Sequence, residues 1–283
     1  MRKLFNYPSA SAIACKGDTV YLMGDDARHL LMTDTNLNPI DSLLVMSWPS
    51  ERIPKSVKPD LESMTWTDDG HLLMAGSGAK APERMRGWLI RSGREKDSLQ
   101  LNVFFERLKQ LGIRECNIEG LATIPGSVVL ANRGSQGYRK NHLIFTSPHF
   151  WEKQQIAPIH TVLTGTNPDS NLFRGISGLD YAPGADALVL TVSTEATRNS
   201  LDDGAIGKSY IWIIHGISTK KQWQAINPNR IIDLEAADKR FRGQKIESVA
   251  VRRESNGQAE LLLAADNDDG SSTLFRIALS LRN

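Results

Sequence analysis

Five positions carry side chains that could meet at one site: Ser11, Glu62, Glu119, Ser177 and Glu247. They are spaced 51, 57, 58 and 70 residues apart, and each is the third residue of a six-residue phrase. The phrases read DLESMT (60–65), NIEGLA (117–122), GISGLD (175–180) and KIESVA (245–250), with SASAIA (9–14) as a fainter member. A turn follows each phrase, then an apolar run ending in a small polar cluster: VYLMGDD (20–26), LLMAGSG (72–78), VVLANRG (128–134), LVLTVSTE (188–195) and LLLAADNDDG (261–270). Those clusters place Asp25, Ser77, Arg133, Ser193 and Asp266 at equivalent positions, with Asp26, Lys80, Asn132, Glu195, Arg198, Asn267, Asp268 and Asp269 beyond them. Carboxylates gathered at one point repel one another unless a cation, a proton or a basic side chain intervenes. An all-oxygen set suits a hard divalent ion such as calcium, which takes roughly six to eight oxygen ligands. The expected metal ligands are therefore Glu62, Glu119, Glu247, Asp25 and Asp266. The three glutamates are also the candidates for acid–base catalysis. Lys80, Arg133, Arg198, Ser77, Asn132 and Glu195 are the candidates for holding a ligand, because Lys and Arg beside a metal-bearing carboxylate set match a phosphorylated molecule. The other reading of the glutamates is structural: each accepts backbone N–H groups and braces the repeat.

A unit repeated five times decides which elements position these residues. Each unit holds a third apolar run, such as HLLMTD (29–34) or NHLIFTS (141–147), and units one to four hold a fourth: 39–46, 99–108, 157–164 and 229–235. The runs are short, rich in Val, Ile, Leu and aromatics, and bounded by Gly, Asn, Asp and Pro, which is how strands read. Four strands per unit at this spacing predict an all-β chain, a five-bladed β-propeller, with six blades as the alternative. The fifth unit stops after its third run, and residues 2–7 precede the first phrase. This N-terminal strand is expected to complete the last blade and close the ring, leaving no strand edge exposed. In an antiparallel blade the start of the first strand lies beside the end of the second. The phrases and the polar clusters then share one mouth of the central channel.

Composition sets the remaining bounds. The 283 residues, 40% hydrophobic and 23% charged, suffice for one ring and one domain, residues 1–283. A net charge of +2 gives no reason to expect nucleic acid or an anionic membrane as partner. No apolar stretch approaches the length of a bilayer span. If Met1 is the native start, residues 1–18 hold no secretory leader, and two cysteines far apart, Cys15 and Cys116, point to reduced thiols and a cytoplasmic setting. No HExxH, CxxC, GxSxG or phosphate-loop pattern occurs; GSGAK (76–80) leads into a strand. The segment 147–155, with Phe150 and Trp151, reads as a short helix or lid whose aromatics pack on a blade edge or stack on a ligand.

DLES, NIEG and KIES, each followed by a hairpin and an apolar strand, resemble the D-x-E-G repeat of the esterase-like phytase domain. The phrases are similar as well to the SdiA-regulated propeller proteins. The resemblance runs from Ser9 to Leu279. It implies a propeller whose repeat carboxylates, here Glu62, Glu119 and Glu247, face the channel and associate with calcium. Two functions follow as expectations. One is a calcium-dependent hydrolase of phosphate or carboxylate esters. The other is a non-catalytic module that grips a protein or small molecule on its loop face.

Overall fold

Each repeat folds into one antiparallel sheet, and the structure, a computed structural model, describes residues 1–91, 94–165, 173–195, 206–220 and 222–282. Strand β1 (Arg2–Leu4) precedes the first repeat. Blade 1 is β2 (Ala10–Lys16), β3 (Thr19–Gly24), β4 (His29–Thr33) and β5 (Pro39–Leu44). Blade 2 is β6 (Leu61–Trp66), β7 (Leu72–Gly76), β8 (Arg86–Ile90) and β9 (Lys96–Gln100), followed by helix α1 (Asn102–Gln110). Blade 3 is β10 (Ile118–Ile124), β11 (Ser127–Asn132), β12 (Asn141–Thr146) and β13 (Ile159–Thr164). Blade 4 is β14 (Arg174–Ala182), β15 (Ala187–Glu195) and β16 (Ile206–His215), then the short β17 (Ala225–Ile226), then β18 (Arg230–Asp233) as its outer strand, with helix α2 (Leu234–Ala237) after it. Blade 5 is β19 (Ile246–Ser255), β20 (Gln258–Asp266) and β21 (Ser272–Ser280).

The N-terminal strand closes the ring as its position in the sequence predicts. Strand β1 pairs antiparallel with β21, Arg2 opposite Leu274 and Leu4 opposite Ser272, giving blade 5 the order β1-β21-β20-β19. Side chains clasp the seam. The Ser272 hydroxyl donates to the Tyr7 carbonyl at 2.6 Å and accepts the Ala10 N–H at 3.0 Å. The Tyr7 hydroxyl reaches the carbonyls of Leu22 and His29, both at 2.8 Å. Apolar residues fill the five interfaces between blades. One cluster at the seam joins Leu262, Ala264 and Leu274 of blade 5 to Ile13, Val20 and Leu22 of blade 1.

The long fourth unit holds no sixth blade among the described residues. Its extra length includes a strap after β16 whose short strand β17 runs parallel to β13 and extends blade 3 outward, Leu163 opposite Ala225. The run 99–108, read from sequence as a strand, is a strand end followed by helix α1. Leu101, Phe104, Phe105 and Leu108 fall at i, i+3, i+4 and i+7, a helical period, and all four are buried. Phe104 packs on Phe150 with ring centroids 4.4 Å apart. Phe150 and Trp151 are therefore core residues sealed beneath α1. Among the described residues no helix is long and apolar enough to cross a membrane.

Candidate functional site at the channel mouth

Every innermost strand carries an irregularity at the same place. The pairing register of β2, β6, β10, β14 and β19 slips by one residue, and the extra residue is Ser11, Glu62, Glu119, Ser177 or Glu247. A bulge leaves its extra residue outside the ladder and re-aims the side chain. It explains how polar residues can recur in an innermost strand whose neighbours are apolar. The residue after the bulge is small in every blade: Ala12, Ser63, Gly120, Gly178 and Ser248. Neighbouring inner strands leave no room there. A Cβ on Gly120 would stand 2.5 Å from the Leu179 Cβ, and one on Gly178 would stand 2.6 Å from the Ser248 Cα.

The second ring forms as expected. The N–H groups of Asp25, Ser77, Arg133 and Asp266 donate to the carbonyls of Ser9, Asp60, Asn117 and Lys245, the first residues of their phrases. Gly175 pairs with Ser193 at the corresponding place in blade 4. The first and third residues of a phrase also meet. Lys245 Nζ lies 2.9 Å from Glu247, and Asn117 Nδ2 donates to Glu119 at 2.6 Å. Glu119 also meets a cation, Arg133, at 3.5 Å, and Arg133 donates to Ser193 at 3.2 Å. The hydroxyls of Ser11 and Ser177 donate to backbone carbonyls, Ser9 at 2.9 Å and Ile246 at 2.6 Å.

Blade 2 breaks this pattern. The first residue of its phrase is an acid, Asp60, where blade 5 has Lys245. Asp25, Asp60 and Glu62 each offer a carboxylate oxygen within 4.8 Å of the others, the one such group of three among the described residues. Asp60 is well anchored: Arg84 donates to it at 2.6 Å and the Ser77 hydroxyl at 2.5 Å. Lys58 bridges Asp25 and Asp60. Glu62 receives no hydrogen bond among the described residues, and Asp25 Oδ1 is buried without one. Burial, with Glu119, Asp60 and Asp25 nearby, drives the Glu62 carboxyl well above the usual range, and Lys58 only partly opposes this. Burial raises Asp25 to about 6 against the pull of Lys58. Asp266 rises to about 7 through burial, with Glu247, Asp268 and Asp25 adding repulsion. Burial also works against the Lys58 ammonium, but Asp25, Asp60 and Glu62 outweigh it and hold its pKa above that of an ordinary lysine.

The predicted residues thus divide. Asp25 and Glu62 join the carboxylate group; Glu119, Glu247 and Asp266 lie on the same mouth outside it. Ser77 and Asn132 are fully buried braces, with Asn132 accepting the Asn117 N–H at 2.8 Å and donating to the Glu115 carbonyl at 3.1 Å. Lys80 is exposed and donates to the Ser56 carbonyl at 2.9 Å. Glu195 ends β15, but its side chain, like the whole of Arg198, lies outside the described residues. Sequence reasoning passed over Lys58 and the carboxylate of Asp60; it set Arg84 among the loop cations of this face, but not as the partner of Asp60. Asp60 stands in the phrase two residues before Glu62, but its left-handed backbone (φ 57°) and the bulge at Glu62 mean that no strand period places the two side chains together. Lys58 and Arg84 lie in loops, where no period applies.

Residues 6–279 match the family of unknown function DUF6929. The chain belongs to that family. No curated protein matches this DUF6929 chain. Among solved structures it is similar to the major allergen Mala s 1 of Malassezia sympodialis, with a TM-score of 0.52 and 9% identity over 94% of this chain and 91% of that one. It is also similar to virginiamycin B lyase of Staphylococcus aureus, with a TM-score of 0.43 and 9% identity over 98% and 87%. At such identities only the propeller fold is shared ground, and the likenesses do not extend to the phytase-like family in particular.

Proposed function

We propose that the channel mouth binds a hard divalent cation on Asp25, Asp60 and Glu62 and, with it, a phosphorylated or carboxylated small molecule. One observation carries this reading: three carboxylates converge in blades 1 and 2, Asp25 Oδ1 is buried without a hydrogen bond, and Glu62 receives none among the described residues. An all-oxygen donor set suits calcium or magnesium, and the crowding that raises the Glu62 and Asp25 carboxyls is what a cation would relieve. Lys58 is the resident counter-ion, and its four-carbon stem lets the ammonium move aside. Arg133 stands across the mouth beside Ser193 as a fixed donor for an anionic group.

A bound cation would supply Lewis-acid polarisation of a phosphoryl or carbonyl oxygen. Asp25, Asp60 and Glu62 would hold the cation as carboxylates, its charge offsetting the burial and repulsion that raise the Glu62 carboxyl. Ester hydrolysis is the reaction this combination supports. A non-catalytic binding module is the second reading. It is favoured by the commitment of Ser77 and Asn132 to bracing bonds, which leaves no nucleophile–base pair among the described residues.

Melting temperature measured with calcium, with magnesium and with EDTA tests the site. A cation that binds only the folded state must stabilise it by mass action. The expected result is an upward shift with calcium in the wild type, lost in Glu62→Gln. Turnover of nitrophenyl phosphate or acetate that depends on the cation and on Glu62 supports the hydrolase; a shift without turnover supports the binding module. No shift, or the same shift in Glu62→Gln, removes the cation site.

A further inference from the structure

Blades 1 and 2 part at the end of their inner strands opposite the channel mouth, leaving a cavity of about 350 Å³. Lys16, the last residue of β2, and Trp66, the last of β6, stand at its opening. Its walls are apolar: Tyr21, Leu43, Trp66, Leu72 and Ile90. Tyr21 and Trp66 meet edge to face with centroids 5.1 Å apart, which fixes the aromatic wall.

Charge enters this cavity unevenly. Arg94 pairs with Asp41 and Arg91 with Asp97, each at 2.7 Å, so these rim charges cancel. Lys16 does not pair. Its ammonium lies 4.1 Å from the Trp66 ring centroid and donates to the Gly70 carbonyl at 3.0 Å, with no carboxylate partner among the described residues. One uncompensated cation therefore sits over an apolar hollow within the size range of ordinary small-molecule sites.

We propose that this cavity binds an amphipathic organic acid, its apolar body against Trp66, Leu72 and Ile90 and its carboxylate on Lys16. A neutral guest would leave the Lys16 charge unused, and a cationic one would meet it head-on. The carboxylate can share the ammonium with the Gly70 carbonyl, since a lysine offers three donors. The site shares no residue with the carboxylate group at the channel mouth and stands independently of it.

Isothermal titration with octanoate, with octylamine as the cationic control, tests the proposal on the full chain. The expected result is saturable one-to-one binding of octanoate and none of octylamine. Lys16→Gln, an exposed change, should weaken octanoate binding about tenfold. Leu43→Trp, which fills the hollow, should abolish it, with melting temperatures confirming that both variants are folded. Glu62→Gln should bind octanoate as the wild type does. Absence of saturable binding, equal binding of octylamine, wild-type affinity in Lys16→Gln, or loss in Glu62→Gln would each overturn the assignment.

Discussion

At the scale of single residues, the channel mouth is a balance of buried charge. Arg84 and Asp60 are almost fully enclosed, 2.6 Å apart, with side chains 6% and 5% exposed. Removing one member of such a pair strands the other in low dielectric. Arg84→Ala is expected to cost about 3 kcal/mol in urea unfolding, the low end for a buried pair because Lys58 still faces Asp60. The double variant Arg84→Ala with Asp60→Asn should recover part of that loss. Equal stability of Arg84→Ala and the wild type would mean that Lys58 alone neutralises Asp60.

At the scale of elements, two devices make the repeat work: a bulge in each inner strand and a borrowed strand at the seam. The bulge turns a polar side chain toward the channel without breaking the ladder on either side. The borrowed strand buries Leu4 and removes the edge of β21. Deleting Met1–Tyr7 is expected to lower stability by more than about 3 kcal/mol, from the loss of Leu4 and Tyr7 packing. The same deletion should also drive self-association through the bared edge. Chemical unfolding and size-exclusion chromatography with light scattering read both effects. A monomer of wild-type stability would show that β1 is ornamental to the ring.

At the scale of the whole molecule, the gathered acids tie stability to pH. Asp266 and Asp180 each titrate near 7, both chiefly through burial, and Asp25 near 6. A carboxyl whose folded pKa lies above its unfolded one binds more protons when folded. Its contribution is present at low pH and is lost as pH rises from about 4 through about 7. Buried His142, lowered to about 4 by burial and by Lys140, acts in the opposite sense and weakens the fold on acidification. Comparing Asp266→Asn with the wild type isolates one carboxyl. The variant should gain stability relative to the wild type between pH 5 and pH 8, on the order of 1–2 kcal/mol. A difference that stays constant across that range would mean that Asp266 ionises as it does in the unfolded chain.

The repeat itself was legible because blade architecture is a local, periodic property. Five phrases at near-constant spacing, each followed by turn and strand, require five similar sheets, and an incomplete last unit requires a strand from elsewhere. The bulge residues were legible for the same reason, as the polar exceptions in apolar strands. The helix after blade 2 was misread because Leu99 to Leu108 satisfies a strand's composition, while packing against Phe150 selects its helical period. The charge pairing was not legible. Asp25 and Lys58 are far apart along the chain, and Lys58 and Arg84 come from loops that carry no period. The sequence determined the ring and which side chains face its mouth, because both follow from patterns a few residues long. Only the tertiary structure decided which carboxylates keep a cation of their own and which, Glu62 above all, have none among the described residues, because that depends on distances between blades.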